Sequence, residues 1–292
     1  MSEAYAGGVT VVIPAFNEEG GVADCVNEVR AALESTGASY EVLVVDDGSS
    51  DRTAERAAAA GAEVVRQPEN RGYGAALKAG IRRAKHDVIV ITDADGTYPS
   101  EEIPRMLAQL DGYEMVVGAR IGDAVEIPLE RRPAKWFLRR LASYLAGCEI
   151  PDLNSGLRVM RRPLVERFEH LLPAGFSFTT TITLASLCSG AGVRYHPIDY
   201  HARIGESKIR PGHAFEFLLL ILRTIVYFNP LKVFVPLGGV FFALGLGKFV
   251  YDVFLGNLSE SALLGFMGAA ILWAVGLLSD QISRLGLARP AR

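Results

Sequence analysis

Two long stretches near the C-terminus carry almost no charge, and they limit the folds open to this chain more than any other feature. Over residues 233–251 the only charged side chain is Lys248, and over 261–279 there is none. Each run approaches the roughly 20 residues with which a helix crosses a bilayer core. The alternative is a pair of helices buried in a large soluble core. All-round hydrophobicity with glycine at 238, 239, 245, 247, 265, 268 and 276 fits lipid better. The connector, 252–260, is short and acidic, while Arg223, Lys232, Arg284, Arg289 and Arg292 flank the opposite ends. The positive-inside rule then predicts a hairpin with both ends in the cytoplasm. Lys248 is accommodated by snorkelling or by meeting Asp252 one turn on.

Upstream of Pro211 the chain changes character, with interspersed charges and short apolar runs. The predicted division is a cytoplasmic domain over 1–210, an interfacial helix over 211–230, a two-helix hairpin over 231–283 and a cytoplasmic tail over 284–292. In the linking segment, Phe217, Leu220, Ile221, Thr224 and Phe228 form one helical stripe, which suits either the headgroup level or an ordinary core contact. With 292 residues, 50% hydrophobic and 22% charged, the chain is not disordered. A net charge of −3 provides no global field for nucleic acid. The positive mean hydropathy, +0.22, reflects the C-terminal runs. The first eight residues lack the apolar centre of a signal peptide, so the N-terminal domain is expected to remain cytoplasmic. Cys25, Cys148 and Cys188 lack paired spacing and are expected in the core.

Within the N-terminal domain, β-branched and apolar runs at 9–13, 41–45, 63–65, 88–92 and 115–118 alternate with helical patterns at 19–33, at 73–84 and after Pro99. This is a βαβ series with strands buried on both faces. It predicts an α/β fold with a mainly parallel, Rossmann-like sheet whose ligand site lies at the C-terminal strand edge. Acids stand there: Glu18 after the first strand, Asp46 and Asp47 after the second, Asp93 and Asp95 after the fourth. The first strand leads into P-A-F-N-E rather than G-x-G-x-x-G, and the chain has no G-x-x-x-x-G-K-[ST], which argues against dinucleotide and P-loop chemistry. Asp93-Ala94-Asp95 sets two carboxylates at a strand end, a donor set for Mg²⁺ or Mn²⁺, ions that also bridge to substrate phosphates. Alone, a D-x-D triplet is as often a turn or a cap.

The motifs P-A-F-N-E, V-D-D-G-S-S-D-R-T, N-R-G-Y-G-A-A, D-A-D-G-T-Y-P, V-V-G-A-R, D-L-N-S-G-L-R and R-I-G-E-S-K occur in this order. Together they resemble the inverting GT-A glycosyltransferases of family 2, and with the C-terminal hairpin they are similar to its polyprenyl-phosphate group, the dolichol-phosphate mannose synthases. The resemblance implies a hexosyltransferase moving a sugar from a UDP- or GDP-sugar to the phosphate of a membrane polyprenol. It further implies that Pro14, Phe16 and Glu18 line the nucleotide pocket, that Asp46 or Asp47 reads base or ribose, and that Arg71 and Ala94 border the donor. Asp93 and Asp95 would hold the metal and diphosphate, with Thr97 standing where relatives often have a further ligand. Arg203 and Lys208 would close on the diphosphate around Gly205. Arg120, Ser155 and Arg158 would meet the lipid phosphate, where a guanidinium offers bidentate contact.

A polyprenyl phosphate is already ionised at neutral pH, so the reaction needs little base assistance. Asp152 is a base, a sugar-positioning carboxylate or a loop-capping acid. The basic-aromatic run at 131–140, beginning at Arg131, suits anionic headgroups beside the acceptor or a solvated helix face. Two other functions stay open: transfer to a glycan hydroxyl, and a catalytically dead membrane scaffold of the same fold. The small-residue faces of the hairpin permit internal packing or self-association equally.

Overall fold

Every residue of V-T-V-V-I-P-A is buried in β1 (Val9–Ala15), as expected for a strand covered on both faces. In the computed structural model, which describes residues 5, 7–121, 140–144, 146–175, 177–200, 213–256 and 259–287, β1 is an interior strand, third from one edge of a seven-stranded sheet. It pairs in parallel with β2 (Tyr40–Asp46) and β4 (Val88–Ile91), and β2 pairs in parallel with β3 (Glu63–Arg66). Beyond β4, the sheet continues through β6 (Arg158–Arg161), β5 (Met115–Arg120) and β7 (Val193–Ile198). The fold is α/β with a mostly parallel sheet. The exception is β6, which runs antiparallel between β4 and β5. Its sequence, R-V-M-R, has only two apolar residues between arginines, too short a run for periodicity to reveal.

Alternate strand residues feed two cores. Val11, Ile13, Val42, Val44 and Val90 meet α1 (Val22–Glu34), α2 (Thr53–Ala59) and α4 (Ile103–Ala108), the last entered through a 3₁₀ turn at Ser100–Glu102. Val12, Val45, Ile89 and Ile91 meet α3 (Tyr73–Arg83), α5 (Arg162–Phe168) and α6 (Phe178–Cys188) on the other face. Close approach of α3 to the sheet requires Gly80, where a Cβ would lie 2.4 Å from Val12 Cγ1. Cys25 is buried, but Cys148 is exposed and Cys188 only partly covered. The expectation of three core cysteines therefore holds for one.

A third cluster joins the domain to the C-terminal helices. Ile221 and Ile225 of α7 (His213–Phe228) are fully buried against Ile150, Leu153 and Leu184. The stripe containing Ile221 and Thr224 thus packs on the domain, and Leu219 on another face is exposed. Two helices long and apolar enough to cross a membrane follow, α8 (Leu231–Leu255) and α9 (Glu260–Leu287). Both run beyond the apolar stretches: α8 starts directly after Pro230, and an Asp280–Arg284 pair at 2.8 Å supports the last turns of α9. Lys248 pairs with Asp252, which also accepts the Ser259 N–H at 3.0 Å and so closes the connector.

Glycines decide how these two helices meet. A Cβ on Gly265 would stand 2.6 Å from Gly245 Cα, and one on Gly238 2.4 Å from Trp273 Nε1. The small-residue face is used for packing within the hairpin. We expect Gly265→Leu to force the helices apart at a cost of about 1–3 kcal/mol, read as a lower Tm of the detergent-solubilised protein. Gly247→Leu, at a position with nothing within 4 Å, should leave Tm unchanged.

Candidate active site

The loops after β1 and β2 are joined by hydrogen bonds across the strand ends. Asn17 adopts φ 55°, a left-handed conformation that asparagine tolerates better than most residues, and its Oδ1 accepts the Ser50 N–H at 2.9 Å. Ser49 Oγ accepts the Asn17 N–H at 3.0 Å, and Thr53 Oγ1 accepts the Glu18 N–H at 2.8 Å. Asp51 accepts from the Glu19 and Thr53 N–H groups at 3.1 and 3.0 Å. Burial alone would raise the Asp51 carboxyl, but the Thr53 and Glu19 hydrogen bonds hold it below its ordinary value. The S-S-D-R-T run is thereby explained as the clasp that shapes P-A-F-N-E. Pro14 is buried inside β1, past Val12 where pairing with β4 ends, so its missing N–H costs that ladder nothing. Phe16 and Glu18 are half-buried at the rim.

The two acids after β2 have separate structural duties. Asp46 Oδ1 accepts the Ser49 N–H at 2.9 Å. Asp47, 3% exposed, accepts from the Arg71 and Gly72 N–H groups through its two oxygens, both at 2.8 Å. Asp47 thus holds the N-R-G-Y-G loop in place. Arg71 contributes this backbone group, while its exposed side chain pairs with Glu69 at 3.6 Å.

Beyond β4, Asp93 and Asp95 are half-buried on either side of a buried Ala94. Tyr73 donates its phenolic proton to Asp93 Oδ1 at 2.9 Å. Burial and the adjacent Asp93 charge push the Tyr73 phenol well above its usual range, so it remains a donor. Thr97, expected as a further metal ligand, is 1% exposed and donates through Oγ1 to Asp95 Oδ1 at 2.6 Å. It orients the acid from behind. Among the described residues no cluster of three or more His, Cys, Asp or Glu side chains suits a metal. Two hydroxyl-braced carboxylates fit a hard divalent ion that takes its other ligands from water and substrate phosphate.

The antiparallel direction of β6 brings a further segment to the same edge. Ile91, the last residue of β4, lies opposite Arg158, the first of β6. The preceding D-L-N-S-G-L loop therefore arrives beside the acids, and a Cβ on Gly156 would stand 2.8 Å from Asp93 Oδ2. At the end of β5, Arg120 grips Asp152 through Nε and Nη2 at 2.7 and 2.9 Å. Burial alone would raise the Asp152 carboxyl; the Arg120 hydrogen bonds and charge outweigh it and hold the group below the carboxylate range. A carboxylate so paired is a weak base, which disfavours the general-base role for Asp152. The Arg120 guanidinium also lies 5.2 Å from the centre of the Tyr200 ring.

Arg158, expected at the lipid phosphate, is 0% exposed. It donates to the Ser155 and Leu153 carbonyls at 2.8 and 3.1 Å and to Thr183 Oγ1 at 2.6 Å. Its role in this geometry is to hold the loop that carries Asp152 and Gly156. Ser155 is likewise fully buried, and its Oγ has no hydrogen-bond partner. Arg131, Arg203 and Lys208 lie outside the described residues.

Residues 10–168, more than half of the chain, match the model of glycosyl transferase family 2. The chain belongs to glycosyl transferase family 2. Residues 229–285 match the GtrB C-terminal hairpin. A dolichyl-phosphate hexose transferase of Haloferax volcanii is 36% identical over 213 residues, 72% of this chain and 90% of that protein. An undecaprenyl-phosphate 4-deoxy-4-formamido-L-arabinose transferase of Klebsiella pneumoniae subsp. pneumoniae is 31% identical over 301 residues, 95% of this chain and 88% of that one. The low-salt glycan biosynthesis hexosyltransferase Agl6 of H. volcanii is 34% identical over 69% of this chain, which spans about half, 49%, of that relative. Glucosyl-3-phosphoglycerate synthase from Mycobacterium tuberculosis, solved with Mn²⁺, UDP and phosphoglyceric acid, superimposes with a TM-score of 0.62 at 22% identity, over 76% of this chain and 80% of that one. That likeness establishes the GT-A-like fold.

In this family 2 chain, the residues that motif reading left without a role are Tyr73, Tyr98, Gly156 and Tyr200. Tyr98 Oη accepts the Gly156 N–H at 2.6 Å and its ring meets Tyr200 edge-on at 5.4 Å. Tyr73, Tyr98 and Gly156 lie inside quoted motifs, a placement equally compatible with core packing, and Tyr200 lies outside all of them. We expect Asp152→Ala to leave Arg120 unpaired at a cost of about 3 kcal/mol, measured by denaturant unfolding. Because the folded Asp152 pKa is depressed, its stabilisation is present above the unfolded value of about 3.9 and lost as pH falls through the folded one. The variant should therefore show a shallower loss of stability in acid than the parent.

Proposed function

We propose that this family 2 glycosyltransferase transfers a hexose, with inversion, from a UDP- or GDP-sugar to the phosphate of a membrane polyprenol. The observation that carries this reading is the convergence on one sheet edge of Asp93 and Asp95 with the Arg120–Asp152 pair and the Gly156 loop. Support comes from two relatives whose names specify dolichyl-phosphate and undecaprenyl-phosphate transfer, and from the hairpin match.

In the proposed reaction, an acceptor phosphate oxygen attacks the anomeric carbon opposite the donor diphosphate. The new C–O bond forms as the bond to the diphosphate breaks, leaving a nucleoside diphosphate. Asp93 and Asp95 would hold Mg²⁺ or Mn²⁺, which neutralises charge on the departing diphosphate. The clasped loop at Phe16 and Glu18, together with Asp46, would border the nucleotide; Asp47 would act by holding the Arg71 loop. Arg120, kept charged by its bidentate partner, is the proposed attraction for the acceptor phosphate on the described side. Arg131, Arg203 and Lys208 are proposed to complete acceptor and diphosphate binding.

The outward face of α7, with Leu219 exposed and Leu222 and Val226 half-exposed at helical spacing, suits a headgroup-level position beside a membrane-spanning α8–α9 hairpin. The catalytic domain is proposed to face the cytoplasm, on the side of Lys232 and Arg284.

Incubating the detergent-solubilised protein with polyprenyl phosphate, Mg²⁺ or Mn²⁺ and labelled UDP- and GDP-sugars should yield a lipid-linked sugar. Transfer only to a glycan hydroxyl, or no transfer with any donor, would sink the proposal. Asp95→Ala should reduce turnover by at least about 10²-fold, on the scale of losing an electrostatic transition-state contact, with its far-UV circular dichroism unchanged.

A further inference from the structure

Asp93 is confined from two sides. On one, the Tyr73 phenol donates to Oδ1 at 2.9 Å. On the other, Gly156 presents bare backbone, and a Cβ there would lie 2.8 Å from Oδ2 and 2.9 Å from Oδ1. A carboxylate turns readily about its terminal torsion, which is broad and two-fold. A donor on one oxygen and a backbone wall against both remove that freedom.

The phenol is delivered by backbone that is itself held. Gly72, at φ 97°, and Gly74 allow the Ala174 and Pro173 carbonyls to approach to 2.8 and 2.2 Å of where Cβ atoms would stand. The Ala75 N–H donates to Ala174 O at 2.9 Å. Asp47 takes the Arg71 and Gly72 N–H groups. The start of α3 is therefore pinned to both the 173–175 segment and the end of β2, and Tyr73 projects from it onto the acid. Opposite, the Gly156 N–H donates to Tyr98 Oη at 2.6 Å, and Arg158 holds the preceding carbonyls.

The geometry points to Tyr73 as a positioning residue that sets the orientation of Asp93 for a divalent ion and its nucleoside diphosphate. The inference rests on the proposed function and deepens it. Hydrogen-bond partners of metal-binding side chains typically matter by about 10–100-fold in affinity or activity. Tyr73→Phe removes the donor and keeps the ring.

The test is Mn²⁺ binding to the full-length protein in detergent with UDP or GDP present, followed by electron paramagnetic resonance. Tyr73→Phe should bind Mn²⁺ about tenfold more weakly than the parent, with Tm unchanged. In turnover assays the Mn²⁺ concentration for half-maximal rate should rise more than kcat falls. Gly156→Ala, which crowds the same carboxylate without touching Tyr73, should weaken Mn²⁺ binding in the same direction. Equal Mn²⁺ affinity for Tyr73→Phe and parent, or a defect confined to kcat, would overturn the positioning role. A parent protein that binds Mn²⁺ with neither nucleotide would remove the underlying metal-dependent reading, and the inference with it.

Discussion

A guanidinium with no exposed surface has to find every partner inside the protein, and Arg158 finds several of them in one short loop. Its donors end on the Leu153 and Ser155 carbonyls and on the Thr183 hydroxyl. Burial lowers its pKa, as expected for a cation moved out of water. Any motion of the 152–156 segment away from Arg158 would strand a charge in the core, a penalty far larger than one ordinary hydrogen bond. That constraint keeps Gly156 against Asp93 and Asp152 within reach of Arg120. An arginine that resembles a substrate ligand by motif thus governs the site from behind it.

The same residue ties the site to the C-terminal helices. Thr183, which Arg158 contacts, lies on α6, and Leu184 beside it packs with Ile221 and Ile225 of α7. From α7 the chain passes through Pro230 directly into α8. The route from the apolar hairpin to the acids at the strand edge is therefore a sequence of packed side chains and satisfied hydrogen bonds. For the proposed lipid-borne phosphate acceptor such a connection matters, because it fixes the strand edge relative to the apolar hairpin. The hairpin itself depends on glycine for close backbone approach, since van der Waals contact rather than apolar burial drives helix association in lipid.

Much of this architecture was legible in residue patterns. Continuous β-branched runs announced β1, β2 and β4 because strands covered on both faces need apolar side chains at every position. Acids following those runs marked the functional edge, and the uncharged stretches marked α8 and α9. By contrast, β6 escaped notice: its ends are arginines, and only its neighbours in space make it a strand. Thr97, Asp47 and Ser155 were legible as members of motifs, but motif membership does not distinguish a residue facing a ligand from one bracing a neighbour that does.

By itself the sequence determined the α/β class, the family, the two apolar helices and the location of the acids, because each depends on local periodicity or on an ordered set of short motifs. Tertiary structure alone decided which of those polar residues turn inward. Strand direction placed the Gly156 loop beside Asp93, depth of burial turned Arg158 into an anchor, and the approach of α3 to the 173–175 segment aimed Tyr73 at the first acid. Those outcomes follow from contacts between residues far apart in the chain, whose partners have no signature in the spacing of either.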